Sequence, residues 1–245
     1  MGAKLINIYS YVTLYFYSSL TLQANLQHMK HHFTVTFTFL LVTVLFFGSC
    51  KQDRKLPIYG IRETKEVKDK NGNTVVDTVY QTIPDFKFLN QDSVIVTNDH
   101  FKGKVYVADF FFTSCSTICP IMHRNLKTIF EDFKDNDDVM FLSHTIDFKY
   151  DTPSVLKKYA IKLGVDGSKW QFVHGTKDSI YTIAEKSYLV AVGQDSTNKD
   201  GFVHQGYLVL VDKDRRIRGA YDGTDAGQVA QLKKDISVLL AEDKK

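Results

Sequence analysis

The chain of 245 residues is long enough for one ordinary domain with extensions, or for two small domains. Its 44% hydrophobic and 24% charged residues exclude a wholly disordered chain, a fibrous repeat and a small disulfide-rich protein. The net charge of +3, without a compact basic cluster, argues against nucleic acid as a partner.

An apolar leader precedes the charged part of the chain. Residues 33–47 form an apolar run of 15 residues, which is short for a membrane span but has the length of a signal-peptide core. The run leads into a Gly-Ser-Cys sequence that resembles a bacterial lipoprotein signal, with Cys50 as the lipidated residue. We therefore predict that translation starts at Met29 and that residues 1–28 are an over-extended N-terminus. The alternative is that residues 5–22 are the first span of a two-pass anchor.

Both interpretations attach the charged part of the chain to a membrane, outside the cytoplasm and on the periplasmic side. We predict a signal peptide of the lipoprotein type at residues 29–49, a linker and an edge hairpin at residues 50–82, and a folded domain at residues 83–245. Asn71-Gly72, a pair typical of tight turns, marks the tip of the hairpin.

From about residue 84, apolar runs typical of buried strands alternate with segments that have helical spacing. The predicted strands are residues 105–112, 139–146, 170–174, 202–211 and 217–221. The predicted helices are residues 121–133, 153–163 and 176–188, followed by a last helix capped by Thr224 and Asp225. Strand–helix–strand order requires parallel strands with right-handed crossovers, and the last two strands form a hairpin. The sequence therefore predicts an α/β domain with a central mixed sheet flanked by helices, similar in layout to a thioredoxin-like domain.

Cys115 and Cys119 follow a predicted buried strand and open a predicted helix. The amide donors and the positive dipole end of a helix lower the pKa of a thiol at that position. Three residues separate the cysteines, so on a helical turn both sulfurs face one point, where two soft thiolates favour Cu(I) or Zn(II). Two alternatives remain open. One is a catalytic redox dithiol without metal, and the other is a plain disulfide, which stabilises little across so short a loop.

A metal held by two cysteines needs a third ligand, for which we consider the five histidines after residue 50. His204 lies at the start of a predicted core strand, which in thioredoxin-like folds faces the cysteine turn. Disulfide oxidoreductases of this fold usually place a cis-proline there, and no proline lies near residue 204. A histidine at this place therefore favours metal ligation over disulfide exchange. His123, four residues after Cys119, is the alternative, but three ligands on one helix leave the far side of the metal open.

Four segments together resemble the Sco/SenC family of copper-binding proteins, and the resemblance runs from about residue 83 to residue 240. These segments are residues 111–120, with both cysteines, and residues 147–153, 170–175 and 202–212. The resemblance implies a thioredoxin-like frame on which Cys115, Cys119 and His204 bind one copper as Cu(I) or Cu(II). It also implies a supporting role for Asp147, which matches an acid near the metal, although Phe148 replaces the proline that usually follows it.

The same resemblance implies a role in assembling the binuclear copper centre of cytochrome c oxidase. Family members donate copper to the copper-accepting subunit of the oxidase, reduce its cysteines, or do both. We therefore predict a membrane-anchored copper chaperone whose partners are that subunit and, through the N-terminal anchor, the membrane.

Two other classes of function remain open. The dithiol could belong to a thiol–disulfide oxidoreductase, acting on the oxidase subunit or on other exported proteins, or to a thiol peroxidase. The missing proline and the longer spacer argue against both enzymes. A redox or copper sensor that signals through a protein partner is the other class.

Overall fold

The computed structural model describes residues 54–165, 167–197 and 200–242, with the backbone but not the side chain of His204. The predicted over-extended N-terminus, signal peptide and Cys50 lie outside these residues. The strands are β1 (Arg62–Lys68), β2 (Thr74–Tyr80), β3 (Lys87–Asn90), β4 (Ile95–Thr97), β5 (Val105–Phe111), β6 (Val139–Thr145), β7 (Trp170–His174), β8 (Val192–Gln194), β9 (Phe202–His204), β10 (Tyr207–Val211) and β11 (Ile217–Asp222). The helices are α1 (Cys119–Phe133), α2 (Pro153–Leu163), α3 (Lys177–Ile183) and α4 (Ala226–Glu242), with a 3-10 turn at Asn98–Phe101 and a π-helical turn at Ala184–Tyr188. Over the described ranges, no helix has both the length and the apolar character to cross a bilayer.

A seven-stranded mixed sheet, in the order β11-β10-β5-β6-β7-β3-β4, forms the centre of the fold. β5, β6 and β7 run parallel, and antiparallel strands continue the sheet on both sides. Every residue of β5 and β6 is buried, which is why their sequences are continuous apolar runs. The predicted central mixed sheet with flanking helices is confirmed.

Alternate residues of β5 contact elements on opposite faces of the sheet. On one face, Asp109 hydrogen-bonds to His123 of α1, and the Phe111 ring packs against the same imidazole. On the other face, the Tyr106 hydroxyl lies 3.1 Å from the hydroxyl of Tyr188. Because α1 also packs against α2 and α4, the turn from β5 into α1 is supported by a packed core.

The segment predicted as one strand over residues 202–211 is two strands. β9 ends at His204 and pairs with β8 in a separate two-stranded sheet, whereas β10 begins at Tyr207 and joins the central sheet. Gly206 lies at the break, where its carbonyl accepts from the amide of Gly223 at 2.8 Å. This backbone contact gives the chain a fixed point from which β9 turns away from the central sheet.

Three short strands are not predicted by the sequence. β3, β4 and β8 are three or four residues long, too short for a sustained alternation of apolar and polar residues. The helix predicted for residues 176–188 is present as α3 followed by the π-helical turn.

The predicted N-terminal hairpin forms as β1 and β2, with the Asn71-Gly72 turn at its tip. It is a sheet of its own, however, and the edges of the central sheet are β4 and β11. The physical reason is that the hairpin has no apolar face to bury, since every strand residue except Tyr80 is exposed.

Candidate metal centre

The turn between β5 and α1 carries both cysteines. The Cys115 amide donates to the Phe112 carbonyl at 3.2 Å, which closes a turn directly after the strand. α1 then begins at Cys119 with Pro120 in its first turn, where the missing amide hydrogen costs nothing because that amide has no helical partner. The helix starts two residues earlier than predicted, so Cys119 belongs to it.

The two cysteine side chains lie against each other. The Cys119 amide donates to the Cys115 sulfur at 3.5 Å, and the Thr117 hydroxyl lies 3.7 Å from the same sulfur. Cys115 is 7% exposed and Cys119 is 1% exposed, so Cys115 is the residue of the pair that reaches solvent. The structure thus brings together the two side chains that the sequence predicts as thiolate ligands.

The environment of Cys119 raises the pKa of its thiol. The largest cause is its hydrogen bond to the Cys115 side chain, and burial adds to the effect. The expectation that the helix N-terminus lowers the thiol pKa is therefore wrong for Cys119, because its thiol is hydrogen-bonded to the Cys115 side chain and buried. An ion that takes both sulfurs as thiolates must displace the Cys119 proton.

Asp151 is a supporting residue that the sequence reasoning misses. Its carboxylate accepts hydrogen bonds from the amide of Thr113 (2.9 Å), from the hydroxyl of Thr113 and from the hydroxyl of Thr145 (2.6 Å). Burial raises the pKa of Asp151, and these hydrogen bonds oppose the rise. Asp151 thereby ties the start of the cysteine turn to the end of β6. The sequence signal, an acid directly before Thr152-Pro153, is equally explained by the start of α2.

Asp147, the predicted supporting acid, lies in the loop between β6 and α2. Its buried carboxylate accepts from the amides of Lys149 (3.2 Å) and Tyr150 (3.1 Å). These contacts give it a role in shaping its own loop. A further role beside the metal stays a prediction.

His123, the alternative third ligand, is fully buried beneath the turn. Its Nε2 lies 2.8 Å from Oδ2 of Asp109, and its Nδ1 lies 2.8 Å from the hydroxyl of Tyr159. With a protein partner on each ring nitrogen, this imidazole has no nitrogen left for a metal. The geometry therefore favours a structural role for His123.

The backbone of His204 lies in the β8–β9 hairpin, which packs beside the cysteine turn. The ring of Phe202 lies 4.9 Å from the ring of Phe112. A Cβ atom added to Gly206 would lie 3.4 Å from the Ile118 side chain. The residues two before and two after His204 thus contact the segment that holds the cysteines. His204 therefore lies on a hairpin beside the cysteine turn and not at the start of a strand of the central sheet. Its side chain lies outside the described residues, and its role as the third ligand stays a prediction.

Two cavities open beside Cys115. One, of about 210 Å³, is also lined by Tyr159 and Lys162, and the other, of about 190 Å³, is also lined by Phe202 and Val203. A sulfur between two openings can be approached by an incoming ligand or by a partner thiol. Among the side chains that the structure describes, no group of three or more His, Cys, Asp or Glu could hold a metal ion.

Comparisons with known proteins agree with this architecture. The family model described as SCO1/SenC matches residues 76–241. The SCO1 protein homolog of Bacillus subtilis is 33% identical over 156 residues, which cover 63% of this chain and 80% of that protein.

Two solved structures share the fold. A SCO1/SenC family lipoprotein from Bacillus anthracis is 28% identical, with a TM-score of 0.61 over 65% of this chain and 95% of its own. BsSco, a member of the Sco family of cytochrome c oxidase assembly proteins, is 30% identical, with a TM-score of 0.58 over 65% of this chain and 93% of its own. These alignments confirm the predicted thioredoxin-like fold. Since the family model also matches more than half of the chain, this protein belongs to the SCO1/SenC family.

Proposed function

We propose that this protein is a membrane-anchored, extracytoplasmic copper chaperone that binds one copper through Cys115, Cys119 and His204. Its cargo is delivered to the copper-accepting subunit of cytochrome c oxidase during assembly of the binuclear copper centre. The observation that carries the proposal is the contact between the two cysteine side chains in a turn against which the His204 hairpin packs. Membership of the family that includes BsSco, an oxidase assembly protein, supports the oxidase as the partner.

The donor set suits copper as a transferable cargo. Two thiolates satisfy Cu(I), and an added imidazole makes the site acceptable to Cu(II) as well. A site of only three ligands leaves a coordination position through which a partner's cysteine can attack, so copper passes by ligand exchange. The cavities on both sides of Cys115 would leave room for such an approach.

Anchoring would confine the protein close to its membrane-bound target. The predicted lipid attachment at Cys50 is supported by the lipoprotein nature of the Bacillus anthracis relative. Because the chaperone and its target would share one membrane, tethering raises the effective concentration of the chaperone near the target. Mass spectrometry of the mature N-terminus tests this part, and an unmodified Cys50 inside an intact leader would contradict it.

Copper titration of the full chain in detergent tests the proposed site. We expect one tightly bound copper per chain, with a thiolate-to-Cu(II) charge-transfer absorption band. Cys115→Ala or Cys119→Ala should abolish tight binding, because one thiolate remains where two are needed. His204→Ala should weaken binding and alter the band while leaving the fold intact. His100→Ala, which removes an exposed imidazole in the 3-10 turn, is the matched control and should change neither.

A second function is favoured by the contact between the thiols. The Cys119 side chain is hydrogen-bonded to Cys115, and a contact between two thiols is the arrangement from which a pair could cycle between dithiol and disulfide. If no copper binds tightly and the pair cycles readily with a partner disulfide, the protein is a thiol–disulfide oxidoreductase. It would then reduce cysteines of the oxidase subunit or of other exported proteins, and His204 would be a bystander.

A further inference from the structure

A carboxylate from the β8–β9 hairpin holds the residue directly after Cys115. Oδ2 of Asp200 accepts from the Ser116 amide at 3.0 Å, and Oδ1 accepts from the Ser116 hydroxyl at 2.9 Å. The hydroxyl also lies 3.1 Å from Oδ2. Asp200 thus engages both donors of a residue that stands between the two cysteines in the sequence.

The hairpin depends on such contacts for its position. β8 and β9 are three residues each and form a sheet of their own, apart from the central one. An isolated two-stranded sheet is only marginally stable in water. In the described part of the chain, three contacts join the hairpin to the cysteine turn. They are the hydrogen bonds of Asp200, the ring contact between Phe202 and Phe112, and the close approach of Gly206 to the Ile118 side chain.

We propose that Asp200 is a positioning residue that latches the hairpin onto the cysteine turn and so pre-organises His204 for copper. The inference rests on the proposed function, and it adds a residue that the ligand set does not contain. Hydrogen bonds to a carboxylate are stronger than neutral ones. A hairpin that is held in place before the ion arrives loses less conformational entropy when the ion binds. The copper affinity is higher for that reason.

The latch should matter more for one oxidation state of copper than for the other. Two soft thiolates are enough for Cu(I), whereas Cu(II) gains more from an imidazole. Loosening the hairpin therefore weakens Cu(II) binding and leaves Cu(I) binding nearly unchanged. A residue that merely stabilised the fold would affect both ions alike.

The test measures both copper affinities in the full chain, in detergent, for Asp200→Ala, His204→Ala and the double variant. We expect Asp200→Ala to lower Cu(II) affinity about tenfold and to change Cu(I) affinity by less than about twofold. In the His204→Ala background, Asp200→Ala should cause no further loss, because a latch acts through the histidine it positions. An equal loss of Cu(II) affinity in both backgrounds, or no loss in either, would overturn the proposal.

Three variants separate the latch from a simple effect of charge. Asp200→Asn removes the charge but keeps an oxygen that can accept from the Ser116 amide, so it should bind Cu(II) better than Asp200→Ala. Ser116→Ala removes the hydroxyl donor without changing charge and should show an intermediate loss. Asp135→Asn, at an exposed carboxylate in the connection after α1, is the charge control and should match the wild type.

A readout without copper keeps this proposal distinct from the proposed function. Amide hydrogen exchange of the metal-free protein should be faster over residues 192–204 in Asp200→Ala than in the wild type. If the wild type binds no copper, the proposed function fails, and exchange alone decides whether the latch exists. Unchanged exchange in Asp200→Ala would overturn the latch even if copper binds.

Discussion

His123 has the sequence spacing of a metal ligand, but its side chain makes buried hydrogen bonds in the interior of the protein. It lies four positions after Cys119, but its two ring nitrogens contact Asp109 and Tyr159. Asp109 is fully buried, and its second oxygen accepts from the hydroxyl of Ser143. A buried carboxylate needs such donors, because an unsatisfied charge in the interior costs several kcal/mol. The imidazole therefore supports Asp109 and is not available to a metal.

We predict that His123→Leu keeps copper binding and loses stability. The leucine fills the space without a donor, so Asp109 loses one hydrogen bond and the free energy of unfolding should fall by about 2–4 kcal/mol. Urea unfolding and copper titration of the same preparation measure the two effects. His100→Leu, at an exposed imidazole that accepts one hydrogen bond from the Thr97 amide, controls for the loss of a histidine and should lower the free energy of unfolding by only about 0.5–1 kcal/mol. A loss of copper binding as large as that of His204→Ala would show that His123 is a ligand.

The buried acids near the cysteine turn differ in whether their structural roles could be predicted from the sequence. Asp109 is the one acid in an apolar strand, and this irregularity signals a buried polar contact even though its partners cannot be read. Asp151 gives no comparable signal, because its contacts with Thr113 and Thr145 arise only when the loop after β6 folds back on the cysteine turn. Cys115 and Cys119 could be found from spacing alone, since a turn brings near neighbours together.

At the scale of elements, burial decides which strands the sequence predicts. β5 and β6 are buried on both faces and have continuous apolar sequences, so their bounds are predicted within a residue. β8, with the sequence Val-Gly-Gln, has no such pattern and is defined only by its pairing with β9. The break between β9 and β10 is likewise tertiary, because it follows from the contact between Gly206 and Gly223. The hairpin that carries His204 therefore could not be predicted, and the role of the histidine as a ligand stays a prediction.

The exposed N-terminal hairpin should be dispensable for folding. Its two ends meet at a hydrogen bond of 2.9 Å from the Gln81 amide to the Ile61 carbonyl, so residues 62–80 can be replaced by a two-residue Asn-Gly turn. Because these residues bury little surface, we expect a change of less than about 0.5 kcal/mol in the free energy of unfolding, with copper binding unchanged. Urea unfolding of the shortened chain measures this. A cooperative loss of several kcal/mol would show that the hairpin belongs to the folding unit.

At the scale of the whole molecule, the three proposed ligands come from two distant parts of the chain. Cys115 and Cys119 are neighbours in sequence, so an unfolded chain keeps them close together. As the proposed third ligand, His204 would join them only once β10 has paired with β5 and the β8–β9 hairpin has packed on the turn. Unfolding therefore changes the distance from the third ligand to the two cysteines far more than it changes the distance between the cysteines themselves.

Copper should consequently stabilise the fold in a way that depends on its oxidation state. An ion that binds only the folded state raises the free energy of unfolding by about 2.7 kcal/mol when free copper is a hundred times the Kd, and binding to the unfolded chain reduces the gain. Cu(I) finds its dithiol in both states, whereas Cu(II) depends on the histidine, so we expect Cu(II) to stabilise more at matched saturation. Urea unfolding of the full chain in chelator-buffered copper measures the difference. His204→Ala should remove it, and equal stabilisation by both ions in the wild type would show that folding does not supply the third ligand.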